Sequence, residues 1–392
     1  MRILAITNLY PNPFQPQRAT FNRHQFRILG QHHPVQVIAP IAWTDEIRAR
    51  RSGAARLPAG RRITLDGLTV DHPRYIFPPK IARGWYGHFY RACVKKTFRR
   101  AVREFAPDLV FTPWAYPDGW AAVRLGHAAN LPVVLQVHGS DILLLDQQPS
   151  KKRRTTEAVR TADGVVAVSH DLAGRLIRMG VSEANVRVIH DGVDRTLFAP
   201  GDKTQERAVL NLPSDERLLL FVGNLVPVKA IDVLLRACAD PVLKGHNFRL
   251  VVVGQGPLRP ALEQLAVQLG IADRVRFAGS LAQTELPRWY RAADVFVLPS
   301  HSEGVPNVLL EASACGTPWV ASRVGGIPEI AHLGTSRMVT PNTPDELAQA
   351  IRETLTAPPQ ALPPGPRPRE EAVAELIGFL NERLGCGRTP AR

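Results

Sequence analysis

Short, continuous apolar runs separated by helix-like stretches recur along this chain, and from residue 218 the pattern begins again. In the first half the runs read MRILAIT, PVQVIAP, PDLVFTP, PVVLQVH, DGVVAVS and NVRVIHDG. In the second they read LLLFVGN, FRLVVVGQG, VRFAGS, DVFVLPS, PWVAS and SRMVT. Between them lie stretches such as TFNRHQFRILGQ, AIDVLLRACA, LRPALEQLAVQLG, TELPRWYRA, VPNVLLEASAC and TPDELAQAIRETLT. A strand that is apolar at successive positions is buried on both faces, and a parallel sheet covered by helices on both sides provides that burial. The expected fold class is α/β, with two doubly wound Rossmann-like domains facing a central cleft.

The clearest break in composition is the polar run APGDKTQERAVLNLPSDE at 199–216. It divides an N-terminal Rossmann-like domain at 1–200 from a C-terminal Rossmann-like domain at 201–356. Residues 357–392 then form a Pro-rich segment, whose prolines forbid helix or central strand, and a final helix EAVAELIGFLNERL.

Charge is distributed unevenly. Residues 1–200 hold 29 Lys and Arg against 15 Asp and Glu, whereas 201–392 hold 20 of each, so the whole net charge of +14 sits in the first half. Such an asymmetry points to a polyanionic surface met by that half: nucleic acid, acidic glycan or anionic lipid. No helix-turn-helix, zinc-finger or RNA-binding motif accompanies it, so nucleic acid is not the expected partner. The richest basic segments are 48–62 and 80–103. The second reads as a helix whose apolar stripe of Tyr86, Tyr90, Val94, Phe98, Val102 and Phe105 is an ordinary core face. Cys93, Cys238, Cys315 and Cys386 have no paired spacing, so neither zinc nor a disulfide framework is expected. The start, MRILAITNLY, lacks the features of a secretory leader, and no run of 18 apolar residues occurs. The expected setting is cytoplasmic, peripheral on the inner face of the cell membrane.

Three strand-to-loop turns of the second half carry candidate chemistry. FVGNLVPVKAID breaks a strand at Gly223 and Asn224 and sets Lys229 at the start of the next helix. VVVGQGPL ends a strand with Gly254 and Gly256. Both turns are expected to bring backbone N–H groups to an anion, although glycine after a strand is more often a plain turn. The third turn, HSEGVPNVLLEASACGTP, puts Glu303 outside a helix opened by Pro306 and Glu311 further along it, with the amides of Gly304, Val305 and Asn307 between. A carboxylate accepts from two vicinal hydroxyls at once. Two carboxylates flanking a phosphate-friendly helix end therefore suit a sugar at each end of a diphosphate.

At this point the chain resembles the retaining glycosyltransferases of family 4, of the two-domain GT-B architecture. EGVPNVLLE matches their E-x7-E motif, and ASACGTPWVASRVGGIPEI matches the run that follows it. VHGSD, VSHDL and HDGVDRTLF match first-domain landmarks, so the resemblance extends to about residue 356. It implies that Glu303 contacts the donor sugar, Glu311 the ribose diol and Lys229 the diphosphate, with His138 beside the reacting carbon and Asp141 in the same landmark. Departures occur at Asn224, where the family has Arg, at Ala230, and at Ala19, where glycine is common beside Arg18 in the first-domain loop. No acidic D-x-D cluster stands in the right place, so no metal and no cofactor are expected. The implied activity moves a hexose-type unit from a UDP-, GDP- or ADP-sugar to a glycan or lipid-linked acceptor in envelope polysaccharide assembly. A nucleotide-sugar epimerase or sugar-phosphate synthase on the same fold is the alternative, and a basic nucleic-acid-binding protein a more distant one.

Overall fold

The computed structural model describes residues 1–51, 57–79, 81, 83–147, 149–358, 361 and 363–385. It divides into two compact units, Met1–His190 with Glu370–Arg392, and Asp191–Arg369. The sequence break expected at residue 200 thus falls at His190/Asp191. The last helix, expected to stand apart with the Pro-rich segment, is part of the first unit. Cys386 and residues 359, 360 and 362 of the Pro-rich segment lie outside the described residues.

In the first unit the strands are β1 (Ile3–Ile6), β2 (Val35–Ile38), β3 (Ile41–Ala42), β4 (Arg62–Leu65), β5 (Leu68–Asp71), β6 (Arg74–Tyr75), β7 (Leu109–Thr112), β8 (Val133–Val137), β9 (Gly164–Ala167) and β10 (Val186–Val188). The main sheet runs β10-β9-β8-β7-β1-β2-β5-β4 and is parallel except for the β4–β5 hairpin; β3 and β6 pair separately. That hairpin begins at the end of the basic segment 48–62 and runs through a stretch to which the sequence reading assigned no element. It closes on Asp66 and Gly67, at φ 51° and 78°, the left-handed pair a two-residue hairpin turn requires. The sheet's core residues, among them Ile3, Ala5, Phe111, Val134 and Val166, are buried against the C-terminal helix Arg369–Gly385 through Ala372, Val373, Leu376, Phe379 and Leu380. The spacing of those five gives the helix one apolar face, and that face is what attaches it to the first unit.

The second unit holds β11 (Arg217–Val222), β12 (Phe248–Val253), β13 (Val275–Gly279), β14 (Val295–Leu298), β15 (Trp319–Ser322) and β16 (Ser336–Val339), ordered β13-β12-β11-β14-β15-β16. Every adjacent pair is parallel. The six apolar runs of each half predicted from sequence all become strands. In each sheet the winding reverses once, between β1 and β7 and between β11 and β14. The loops after those strands diverge, which makes these the positions where open α/β sheets bind ligands.

The basic helix of the first unit spans Tyr86–Phe105 and buries Tyr90, Val94 and Phe98 of the expected stripe together with Ala101, while Tyr86, Val102 and Phe105 are half-buried. Arg91, Lys95, Lys96, Arg99 and Arg103 are exposed. Part of the basic excess has a structural task. Glu46, only slightly exposed, is held by Arg61 and Arg74, and buried Asp71 by Arg62 and Arg100. Arg61 and Arg62 are therefore committed to internal acids, and residues 52–56 of the expected basic loop lie outside the described residues.

Candidate active site

Both turns at the second unit's reversal point come together. His301, in the loop after β14, donates its N–H to the Val228 carbonyl of the loop after β11 at 2.8 Å. Across the same junction the Lys229 ammonium donates to Glu303 Oε1 at 2.6 Å. The side chains are 20% and 11% exposed, so the pair is mostly withdrawn from water without being sealed off. Lys229 closes a short 3-10 turn, Pro227–Lys229, and Ala230 turns left-handed at φ 48° before the helix Ile231–Cys238 begins. Asn224 is exposed on the same turn.

The glycines act differently from the expectation. The Gly223 N–H donates to Val253 O at 2.9 Å, and the Gly254 N–H to Gly279 O at 2.8 Å. These amides are spent inside the protein and do not face an anion. What the residues supply is close approach: a Cβ on Gly254 would strike the Gly223 carbonyl, and one on Gly256 the Leu225 carbonyl. Gly325, at φ 52°, fits against the Glu303 carbonyl in the same way, and the Gly326 N–H donates to Gly304 O at 2.9 Å. The glycine pair that follows the E-x7-E motif thereby fixes the backbone that carries Glu303.

Pro306 caps the helix Asn307–Ala314 from just outside, so the helix starts one residue later than its proline suggested. Gly304 and Val305 are buried and Asn307 is half-buried beside the positive end of that helix. Glu311 differs sharply from Glu303. It is 6% exposed and accepts from the hydroxyl of fully buried Tyr290 at 2.9 Å. Burial pushes its carboxyl up to about 7, against the downward pull of the Tyr290 hydrogen bond, the Arg369 charge and Gln283. Both acids were expected to face the ligand; Glu303 keeps 11% of its side chain exposed outside the helix, whereas Glu311 is enclosed within it. Tyr290 carried no sequence signal, since WYRA reads as any helix.

In the first unit, His138 follows β8 and packs on Phe21, with ring centroids 5.0 Å apart. Its Nε2 is buried and has no hydrogen-bond partner among the described residues. Asp141 does not reach outward. Its carboxylate accepts from the His138 and Gly139 amides at 3.2 and 3.0 Å and from the Ala115 amide at 3.3 Å. It is a brace for the His138 turn. Burial raises its pKa, while the His138 charge and those amides oppose the rise. Arg18 likewise turns inward, from Nε to Asn8 O at 2.9 Å and from one Nη to Gln15 Oε1 at 2.7 Å, with Asp45 3.6 Å away. Ala19 caps the helix Thr20–His32 at φ 47°.

Sequence reading missed Asp118, at the first sheet's reversal point. It is fully buried, accepts from the Asn8 N–H at 2.9 Å and the Thr7 hydroxyl at 3.2 Å, and so ties the loop after β1 to the segment after β7. Its sequence context, YPDG, reads as a plain turn and hides it. Among the described residues no helix is long and apolar enough to cross a membrane.

Comparison with known proteins follows the same two-part division. Residues 27–197 match the description Glycosyltransferase Family 4, and residues 202–367 match Glycosyl transferases group 1. A D-inositol 3-phosphate glycosyltransferase 2 from Catenulispora acidiphila is 41% identical over 262 residues, 61% of this chain and 61% of that protein. The chain thus spans about three fifths of the length of that curated relative. Sucrose-phosphate synthase from Thermosynechococcus elongatus superposes over 99% of this chain and 100% of its own, with TM-score 0.74 and 22% identity. Anabaena HepE in complex with UDP and glucose does so over 98% and 100%, with TM-score 0.73 and 20% identity. With the two family descriptions meeting near residue 200 and the fold shared along the whole chain, the protein belongs to the family 4 glycosyltransferases and has the GT-B fold.

Proposed function

We propose that the protein transfers a hexose-type sugar from a nucleoside diphosphate sugar to an acceptor hydroxyl with retention of anomeric configuration. The observation that carries this reading is the meeting of Lys229 and Glu303 at the reversal point of the second sheet. Charge develops on the leaving diphosphate as the glycosidic bond breaks, and a fixed ammonium lowers that barrier most where the charge forms. Glu303 accepts from hydroxyls of the donor sugar. Glu311, held by Tyr290, accepts from the ribose diol. His138 is the first-unit residue proposed to contact the donor sugar. Attack comes from the leaving-group face, assisted by the departing phosphate. A UDP-, GDP- or ADP-sugar is the donor, and HepE, a structural neighbour, binds UDP and glucose.

The acceptor side is read from charge. The surplus of bases in residues 1–200 suits an anionic acceptor or an acceptor on an anionic surface. Trp85 is 57% exposed and Phe89 37%, one helical turn apart and followed by Arg91, Lys95 and Lys96. An exposed aromatic pair beside cations suits a membrane interface, and each basic residue near an anionic leaflet contributes about 1 kcal/mol. This supports a lipid-linked glycan acceptor in envelope polysaccharide assembly, met at the inner face of the membrane. A second reading has one specific observation behind it. The curated relative at 41% identity is named for D-inositol 3-phosphate, so a small phosphorylated polyol is the rival acceptor.

The test pairs UDP-, GDP- and ADP-sugars with each acceptor class and measures nucleotide release. Release that depends on a lipid-linked glycan supports the first reading, and release that depends on a phosphorylated polyol the second. Conversion of the donor sugar without any acceptor contradicts both and revives an epimerase. Trp85→Ser with Phe89→Ser is expected to reduce co-sedimentation with anionic vesicles at low salt several-fold. Unchanged sedimentation removes the membrane surface from the reading.

A further inference from the structure

We propose that Glu303 acts as a built-in competitor of the donor's diphosphate for Lys229, and so makes the site prefer a nucleotide sugar to the free nucleoside diphosphate it releases. This rests on the donor-site reading above. The ammonium is engaged within the protein, 2.6 Å from the carboxylate and mostly withdrawn from water. Asn224 occupies the exposed position of the same turn and carries no charge, so Lys229 is the cation this turn supplies. A diphosphate that uses it competes with Glu303 for the same ammonium and weakens the pair.

What happens next depends on the ligand. A free nucleoside diphosphate takes the ammonium and leaves the Glu303 carboxylate unpaired, partly buried and close to phosphate oxygens of like charge. A nucleotide sugar brings hydroxyls that donate to that carboxylate, so both members of the broken pair regain partners. The exchange is therefore balanced for the substrate and unbalanced for the product. Once the sugar has left, the carboxylate recovers Lys229 and loosens the diphosphate. The backbone is fixed for this role, because the Gly325 and Gly326 turn seats the Glu303 and Gly304 carbonyls and the His301 amide locks the two loops together. Only side-chain rotation is required.

The experiment is calorimetric titration of the full chain with UDP and UDP-glucose, with the GDP/GDP-mannose and ADP/ADP-glucose pairs alongside, read on the pair that the wild type binds. Glu303→Gln keeps the shape and removes the charge, and Glu303→Ser serves as a second variant, with thermal unfolding as the check on folding. In both, the free diphosphate is expected to bind about tenfold tighter, the gain from relieving roughly one charge-pair competition. The nucleotide sugar is expected to bind no tighter than in the wild type. With Lys229→Met in the background, the gain from Glu303→Gln is expected to shrink to less than half. Unchanged or weakened diphosphate binding in both Glu303 variants overturns the proposal. So does a gain that persists in full without Lys229, which would mark simple repulsion. A wild type that binds none of the nucleotides removes the donor-site reading itself, a failure distinct from a wild type that binds but is indifferent to Glu303.

Discussion

Ala19 and Ala230 occupy left-handed backbone, at φ 47° and 48°, a conformation in which an L side chain crowds its own carbonyl. Relief of that crowding, on the order of 1–2 kcal/mol, is partly offset by the extra unfolded-state freedom of glycine, about 0.4–1 kcal/mol. Ala230→Gly is therefore expected to stabilise the second unit by about 0.5–1 kcal/mol, measured by urea unfolding. Loss of stability would mean that the Ala230 methyl, which is buried, contributes more packing than its conformation costs. Glu311 offers a second test at this scale. Its carboxyl is raised from 4.5 to about 7 in the fold, so its contribution is fully present below pH 4.5 and is lost as pH rises through 7. Glu311→Gln, neutral at every pH, should match the wild type near pH 4 and exceed it at pH 8, by up to about 3 kcal/mol. Parallel melting curves across that range would contradict the buried, raised acid. The motif spacing located both acids and could not tell them apart. Glu303 stands outside the helix, where a loop decides its direction. Glu311 lies within the helix, where Tyr290, brought in by a different helix, decides its burial.

Among the elements, strands were the most legible, because a doubly buried parallel strand is apolar at every position and no other soluble element of that length is. The β4–β5 hairpin was missed although Asp66–Gly67 is a strong turn signal; its strands, RITL and LTVD, alternate polar and apolar residues instead of forming the continuous apolar runs by which the other strands were read, and β4 is the sheet's edge. Turns were least legible. The Gly223 and Gly254 turns looked like anion cradles, yet the amides of these two glycines are consumed by the Val253 and Gly279 carbonyls, a tertiary fact that local sequence does not encode. Sequence also gave Glu303 no bearing on a free nucleotide. Its ion pair with Lys229, 74 residues earlier, supplies one, because adjacent strands at a reversal point bring distant turns together.

At the scale of the whole molecule, the first unit is completed by the end of the chain. Phe379 lies in its core, with the Arg187 and Arg383 guanidinium carbons 5.3 and 4.8 Å from its ring centre. Phe379→Ala is expected to cost about 3–5 kcal/mol and to lower only the unfolding transition of the first unit in calorimetry. An equal drop in both transitions, or none, would contradict the assignment of the helix to that unit. Amphipathic spacing made this helix visible in sequence. Its partner was not, because an apolar face states that something covers it and not what. The charge asymmetry was visible in full, and the structure divides it between bases that neutralise Glu46 and Asp71 and those left exposed on the helix Tyr86–Phe105.

Proton NMR of the anomeric signals, followed while the full chain reacts with the nucleotide sugar it binds, tests the transfer reaction most directly. The expected result is acceptor-dependent release of the nucleoside diphosphate and a glycoside with the donor's anomeric configuration. Lys229→Ala should slow that release by about two to three orders of magnitude, as when one charge-stabilising donor is removed. An inverted product, donor conversion without acceptor, or full activity in Lys229→Ala would contradict it.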